Sequence, residues 1–96
     1  MIIFEWDEHK RFENLNKHGI DFADLGDLFE SETATEWDER FDYREDRLLS
    51  FGLLLGEVIA VAHTETSVGN DSIIRVISAR KAEKHEQEYY FKKVRD

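Results

Sequence analysis

Three apolar runs fill much of the second half of this chain with almost nothing between them: RLLSFGLLL at 47–55, EVIAVAHTE at 57–65 and SIIRVIS at 72–78. Each has strand length and is rich in aliphatic or β-branched side chains. Parallel neighbours would need crossovers of roughly a dozen residues or more. Only Gly56 separates the first two runs, and only TSVGND (66–71) the second and third. The runs are therefore expected to pair antiparallel, with Gly56 marking a tight hairpin.

The remaining segments fit around that meander. IIFEW (2–6) reads as a short strand. Asp7 caps a helix over 8–18 that carries Lys17 and His18 in its last turn and stops at Gly19. Asp21 caps a second, short helix, FADLGDLF, with Phe22, Leu25, Leu28 and Phe29 on one face. TATEW (33–37) reads as a strand, and good helix formers without a breaker predict a last helix over 79–94. The order β-α-α-β-β-β-β-α predicts an α+β fold: a mostly antiparallel sheet of about four to five strands with three helices on it. With 96 residues and no linker or repeat, the chain is expected to form one domain over 1–96.

Composition narrows the chemistry. Cysteine is absent, which excludes disulfides, thiolate zinc sites and thiol nucleophiles. The apolar runs are too short for a membrane span and no signal pattern opens the chain, so a soluble cytoplasmic protein is expected. A net charge of −9 speaks against a general nucleic-acid binder, but residues 21–57 alone hold twelve acidic and three basic residues, a net of −9. The two ends are close to neutral and can still assemble a basic site. The acidic flank, which includes Asp38, Glu39 and Asp42, suits a basic protein partner.

Arg75 raises a question of its own. It stands between Ile73-Ile74 and Val76-Ile77, where a buried strand seldom admits a guanidinium without a partner. A structural ion pair with Glu65 is one answer. The other begins from two longer stretches. FEWDEHKRFENLNKHGIDF near the start and IRVISARKAEKHEQEYY near the end resemble the BrnT toxins of bacterial type II toxin–antitoxin modules. The first carries F-x-W-D and K-H-G, and the second an I-S-A-R strand exit before a charged helix ending in tyrosine. The resemblance implies a small RelE-like ribonuclease fold, cleavage of cellular RNA with no metal or organic cofactor, and inhibition of growth. It also implies a cognate antitoxin with a ribbon-helix-helix DNA-binding domain, so that DNA is met only through a toxin–antitoxin hetero-oligomer. The chain departs from the family at Glu57 and Thr66, where arginine is common. A catalytically degenerate module that only binds antitoxin or RNA is the alternative those two residues favour.

Metal-free RNA cleavage needs a base for the 2′-OH, an acid for the departing 5′-oxygen, and cations for the phosphorane. Arginine suits the last task because its planar fork binds two phosphate oxygens. Arg75 and Arg80 are the expected cations, and His63 the expected acid or base. Pairing in which residue numbers sum to 138 would set His63 directly across from Arg75, and a slip of one would separate them. Lys17, His18, Thr64 and Lys81 are the expected substrate-binding residues. Lys17 and His18 also suit a helix C-terminus with no further role, and Thr64 suits a strand. His9 and His85 read as solvated helix residues, with no metal-ligand spacing to recommend them.

Overall fold

The hairpin expected at Gly56 forms. The computed structural model describes residues 1–39 and 46–95. In it, strand β3 (Leu48–Leu54) turns through Leu55 and Gly56 into the antiparallel strand β4 (Glu57–Val68). Both turn residues have positive φ, 52° and 81°, as a two-residue turn matched to strand twist requires. Leu55 adopts this backbone with its side chain fully in solvent, 98% exposed. Strand β5 (Asp71–Lys81) then pairs antiparallel with β4, and β2 (Ala34–Trp37) with β3.

Three expectations need correction. The loop expected at 66–71 is a two-residue turn at Gly69 and Asn70, because β4 continues to Val68 and β5 begins at Asp71. That tight turn pairs Val68 with Asp71 and thereby sets the register. Thr64, not His63, lies beside Arg75, and a bulge after Ala62 shifts the ladder again so that Ala62 pairs with Ser78. The strand also extends further than expected at its other end: Arg80 and Lys81 pair with Ala60 and Ile59, and the last helix, α3, spans Lys84–Arg95. A waiting strand partner outweighs helix propensity at 79–81.

The sheet is mixed. Its order is β1-β5-β4-β3-β2, and β1 (Ile2–Glu5) lies parallel to β5 at the edge. Short connections dictate direction only between consecutive strands. Two helices and the whole meander separate β1 from β5, so no short connection dictates its direction. The element order otherwise matches, with three helices: α1 (Glu8–His18), α2 (Leu25–Glu30) preceded by a single 3₁₀ turn (Phe22–Asp24), and α3.

Alternation along the strands builds a core on each face. Ile59, Val61, Ile74, Val76 and Ala79 face Phe22, Leu25 and Leu28 on one side. Leu49, Phe51, Val58, Ala60 and Ala62 face Tyr90 and Ala82 on the other, with Tyr89 and Val94 of α3 alongside. Among the described residues no helix is long and apolar enough to cross a membrane.

Helix α1 is fixed by caps and by two polar ties. Asp7 accepts from the His9 and Lys10 N–H groups, and Gly19 ends the helix at φ 71°. Arg11 grips Asp21 through Nε and Nη2 at 2.7 and 3.1 Å. Asn14, 7% exposed, joins helix to sheet: its Oδ1 accepts from the Ala79 N–H at 3.0 Å, and its Nδ2 donates to the Ile20 carbonyl at 3.0 Å. β1 stops opposite Arg75, so this amide occupies the edge of β5 beyond the point where a strand covers it. Truncating Asn14 leaves a buried donor and a buried acceptor without partners, each costing about 1–3 kcal/mol. Asn14→Ala should lower unfolding free energy by roughly 2–4 kcal/mol in urea titrations; a loss below about 0.5 kcal/mol would show that water replaces both bonds.

Candidate active site

Three side chains form a row on the second core's side of the sheet, at a part of it that is open to solvent. Glu5 of β1 pairs with Arg75 of β5, which pairs on its other side with Thr64 of β4. Glu5 and Arg75 each stand between residues packed in the first core, and Thr64 pairs with Arg75 and follows His63, which packs on Phe29 of that core, so alternation turns all three away from it. Neighbouring strands lie about 4.8 Å apart, which brings a carboxylate, a guanidinium and a hydroxyl onto one rigid floor. Glu5 and Arg75 are exposed, and Thr64 is half-buried.

The charges in this row are uncommitted. Glu65 pairs with Ile74 and by alternation lies on the opposite face, so it is not the partner of Arg75. An open cavity of about 670 Å³ is lined by Glu5, Trp6, Asp7, Glu8 and Arg75. Asp7 is occupied as the cap of α1, and Glu8 accepts from the Trp6 indole N–H at 2.7 Å and from Arg11 at 3.1 Å. Among the described residues, neither the Glu5 nor the Arg75 side chain has a hydrogen-bond or ion-pair partner. The sequence marked Arg75 and Thr64; Glu5 went unmarked because only the parallel pairing of β1 brings it there.

Of the other expected residues, Arg80 and Lys81 lie further along β5, and Lys17 and His18 end α1. Arg80 shares the face of Arg75 but is tied down, donating to the two carboxylate oxygens of Glu86 at 2.7 and 3.0 Å. Burial opposes ionisation of Glu86, yet Arg80 and the Glu83 N–H outweigh it and hold its pKa below the usual range. Glu86 also caps α3 by accepting from the Glu83 N–H at 2.8 Å, so the pair fixes how the helix leaves the strand. Lys81 reaches Glu57 at 3.4 Å, both exposed. Lys17 and His18 line a smaller cavity of about 230 Å³ with Lys10, Ile77 and Ser78. His9 and His85 stand on separate helices beside Glu13 and Glu83.

His63 lies elsewhere. It is 1% exposed, and its ring meets Phe29 edge-on at 5.2 Å on the face opposite Arg75. Its Nε2 shares a 2.7 Å hydrogen bond with Ser50 Oγ, which in turn bonds Thr35 Oγ1 at 2.8 Å. Nδ1 is buried without a hydrogen-bond partner among the described residues. The structure thus brings Arg75 and Thr64 together and separates both from His63. A change of one in register, fixed by the Gly69–Asn70 turn, decides the outcome.

In the acidic flank, Asp38 is 7% exposed and its N–H donates to the Arg47 carbonyl, whereas Glu39 is exposed. Asp42 lies outside the described residues.

A family model described as the ribonuclease toxin BrnT of type II toxin–antitoxin systems matches residues 6–86. That span holds Lys17, His18, His63, Thr64, Arg75, Arg80 and Lys81, and stops one residue short of Glu5. No curated protein matches the chain.

Burial of His63 has a pH signature. Desolvation pushes its pKa below the ordinary 6.5, against smaller opposing effects of the Thr64 backbone and Glu65. The unfolded chain therefore takes up a proton near pH 6.5 that the folded chain refuses. Stability is intact above that pH and falls as pH drops below it, by at most about 1.4 kcal/mol per pH unit. Urea unfolding between about pH 5 and 7.5 should show this slope in the wild type and a flatter one in His63→Gln. Equal slopes in the two proteins would mean that folding does not shift the protonation of His63.

Proposed function

Because the chain belongs to the BrnT family of ribonuclease toxins from type II toxin–antitoxin systems, we propose that it is an endoribonuclease that cleaves cellular RNA without a metal ion. The observation that carries this reading is the uncommitted Glu5–Arg75–Thr64 row. In the proposed step, Glu5 takes the 2′-OH proton and the 2′-oxygen forms a bond to phosphorus. The bond from phosphorus to the 5′-oxygen breaks, and that oxygen takes a proton from water. Glu5 then returns its own proton to solvent, leaving a 2′,3′-cyclic phosphate. Arg75 spans two oxygens of the pentavalent phosphorus and Thr64 donates to one of them, so both act on charge that grows in the transition state.

Lys81, at the end of β5, and Lys17 and His18, at the end of α1, hold neighbouring phosphates, while Arg80, kept in place by Glu86, holds the frame of strand and helix. His63 touches no substrate in this mechanism; it ties β4 to β3 through Ser50. The architecture is of the RelE-like kind, and the toxin works in the cytoplasm, where it arrests growth.

Purified protein should cut labelled RNA in EDTA, and its induced expression should stop bacterial growth. Both Glu5→Gln and Arg75→Ala should slow cleavage about 10²–10³-fold at unchanged thermal stability, since both side chains are exposed. Intact RNA together with unimpaired growth would leave the non-catalytic reading, a module that only binds antitoxin or RNA.

The proposed partner is an antitoxin with a ribbon-helix-helix DNA-binding domain, held in a hetero-oligomer that alone meets DNA. The acidic flank, with Glu39 at its exposed edge, steers a basic segment of that antitoxin. Association should then slow with added salt and with Glu39→Lys, measured by stopped flow. A rate indifferent to both would remove the flank from partner choice.

A further inference from the structure

Helix α3 has a second face that neither the core nor the proposed mechanism uses. Its inner face is spent on packing: Tyr90 is 2% exposed, its hydroxyl donating to the Glu32 carbonyl at 3.0 Å, and Tyr89 meets Phe51 edge-on at 5.7 Å. Residues 84, 88, 91 and 95 follow the three- and four-residue spacing of one helical stripe. They are Lys84, Glu88, Phe91 and Arg95, with Gln87 and Lys92 beside them, and together they line an open cavity of about 590 Å³. Phe91 is 39% exposed at its centre. At Gln87 and Phe91 it adjoins a second cavity of about 380 Å³, which reaches Lys81 and Gly56.

Charge on this stripe runs against the molecule. In a chain of net −9, it sets three cations against the single carboxylate of Glu88. Lys84, Lys92 and Arg95 have no ion-pair partner among the described residues, whereas Lys93 is spent over the Tyr89 ring at 5.8 Å. One exposed ring among unpaired cations matches the chemistry of a nucleotide, which offers a flat base and a phosphate on either side. A protein partner would instead favour a broader apolar centre. Most of the stripe also lies beyond residue 86, where the family match ends.

We propose that this face of α3 is a subsite for single-stranded RNA, in which a base stacks on Phe91 while Lys84, Lys92 and Arg95 take the flanking phosphates. The proposal rests on the ribonuclease reading for its ligand class and gives the enzyme a hold on its substrate away from the Glu5–Arg75–Thr64 row. The Tyr90 ring, edge-on to Phe91 at 5.3 Å, steadies the platform.

Fluorescence anisotropy with a labelled uridine dodecamer tests it on the full chain. Phe91→Ala should weaken binding about tenfold and Phe91→Trp should retain it, since stacking by one base is worth roughly that much. Lys92→Glu with Arg95→Glu should weaken binding further and lower the dependence of log affinity on log salt by about 0.7 for each cation removed. Cleavage of a uridylyl-adenosine dinucleotide, too short to span both sites, should be unchanged in all these variants. Dodecamer affinity that ignores them, or no binding by the wild type, would overturn the subsite. If Phe91→Ala weakened antitoxin binding and left RNA binding alone, the stripe would belong to a protein partner and the proposal would fail. Failure of the ribonuclease reading looks different: no RNA is cut, yet binding still depends on Phe91.

Discussion

The ladder between β4 and β5 is the constraint on which the rest of the molecule depends. Both strands are long, twelve and eleven residues, and their side chains alternate between the two faces of the sheet, with a core on each. Once the Gly69–Asn70 turn sets the register, every side chain along 57–81 is committed to a face. Ile74, Val76, Ile59 and Val61 are carried into the first core, and Val58, Ala60 and Ala62 into the second. The same parity sends Arg75 and Thr64 to the open side and His63 into the interior. A slip by one residue would bury the arginine and expose the core, so the site and the stability are products of one pairing.

The bulge after Ala62 lets one strand serve two needs. Without it, a fixed alternation along β5 would bring Arg80 to the face opposite Arg75. With the extra residue, both arginines share a face while Ala79 still fills the first core and offers its N–H to Asn14. Bulges bend a strand and re-aim the side chains beyond them. Here the re-aimed side chain meets Glu86, and through it the first turn of α3. The exit of the strand, the start of the helix and the position of a cation are thus fixed by the same carboxylate.

What the sequence revealed follows the range of each physical signal. Caps are local, and Asp7, Gly19 and Gly56 act where the residue types indicate. The aliphatic runs disclosed three strands because burial on both faces needs them. Strand ends are harder to place, since the Gly69-Asn70-Asp71 turn signal masks Thr66 and Val68, and ARK lacks strong strand formers and becomes strand because a partner lies alongside. Nonlocal facts left no trace: no feature of IIFEW says that it will run parallel to a segment seventy residues away. Glu5 was missed for that reason, and Glu86 because one carboxylate among many does not advertise its partner.

The uncommitted state of Glu5 and Arg75 is itself informative. Opposite charges side by side on adjacent strands could close into an exposed ion pair, but such pairs contribute at most about 1 kcal/mol, and often nothing, after side-chain ordering and screening. Leaving them apart therefore costs the fold little. Under the proposed ribonuclease reading, a phosphodiester entering the cavity changes that balance. It brings a fixed anion to Arg75 and a hydroxyl to Glu5, and it displaces the water that weakens both contacts. The same two groups that stabilise the free protein little can then act strongly on bound substrate, with the ladder holding their backbones in place. A site whose charges were already satisfied by each other would have to break those contacts first, as Arg80 would have to leave Glu86. On this reasoning the row at Arg75 is better suited to chemistry, and Arg80, locked between strand and helix, to holding the frame in which that chemistry occurs.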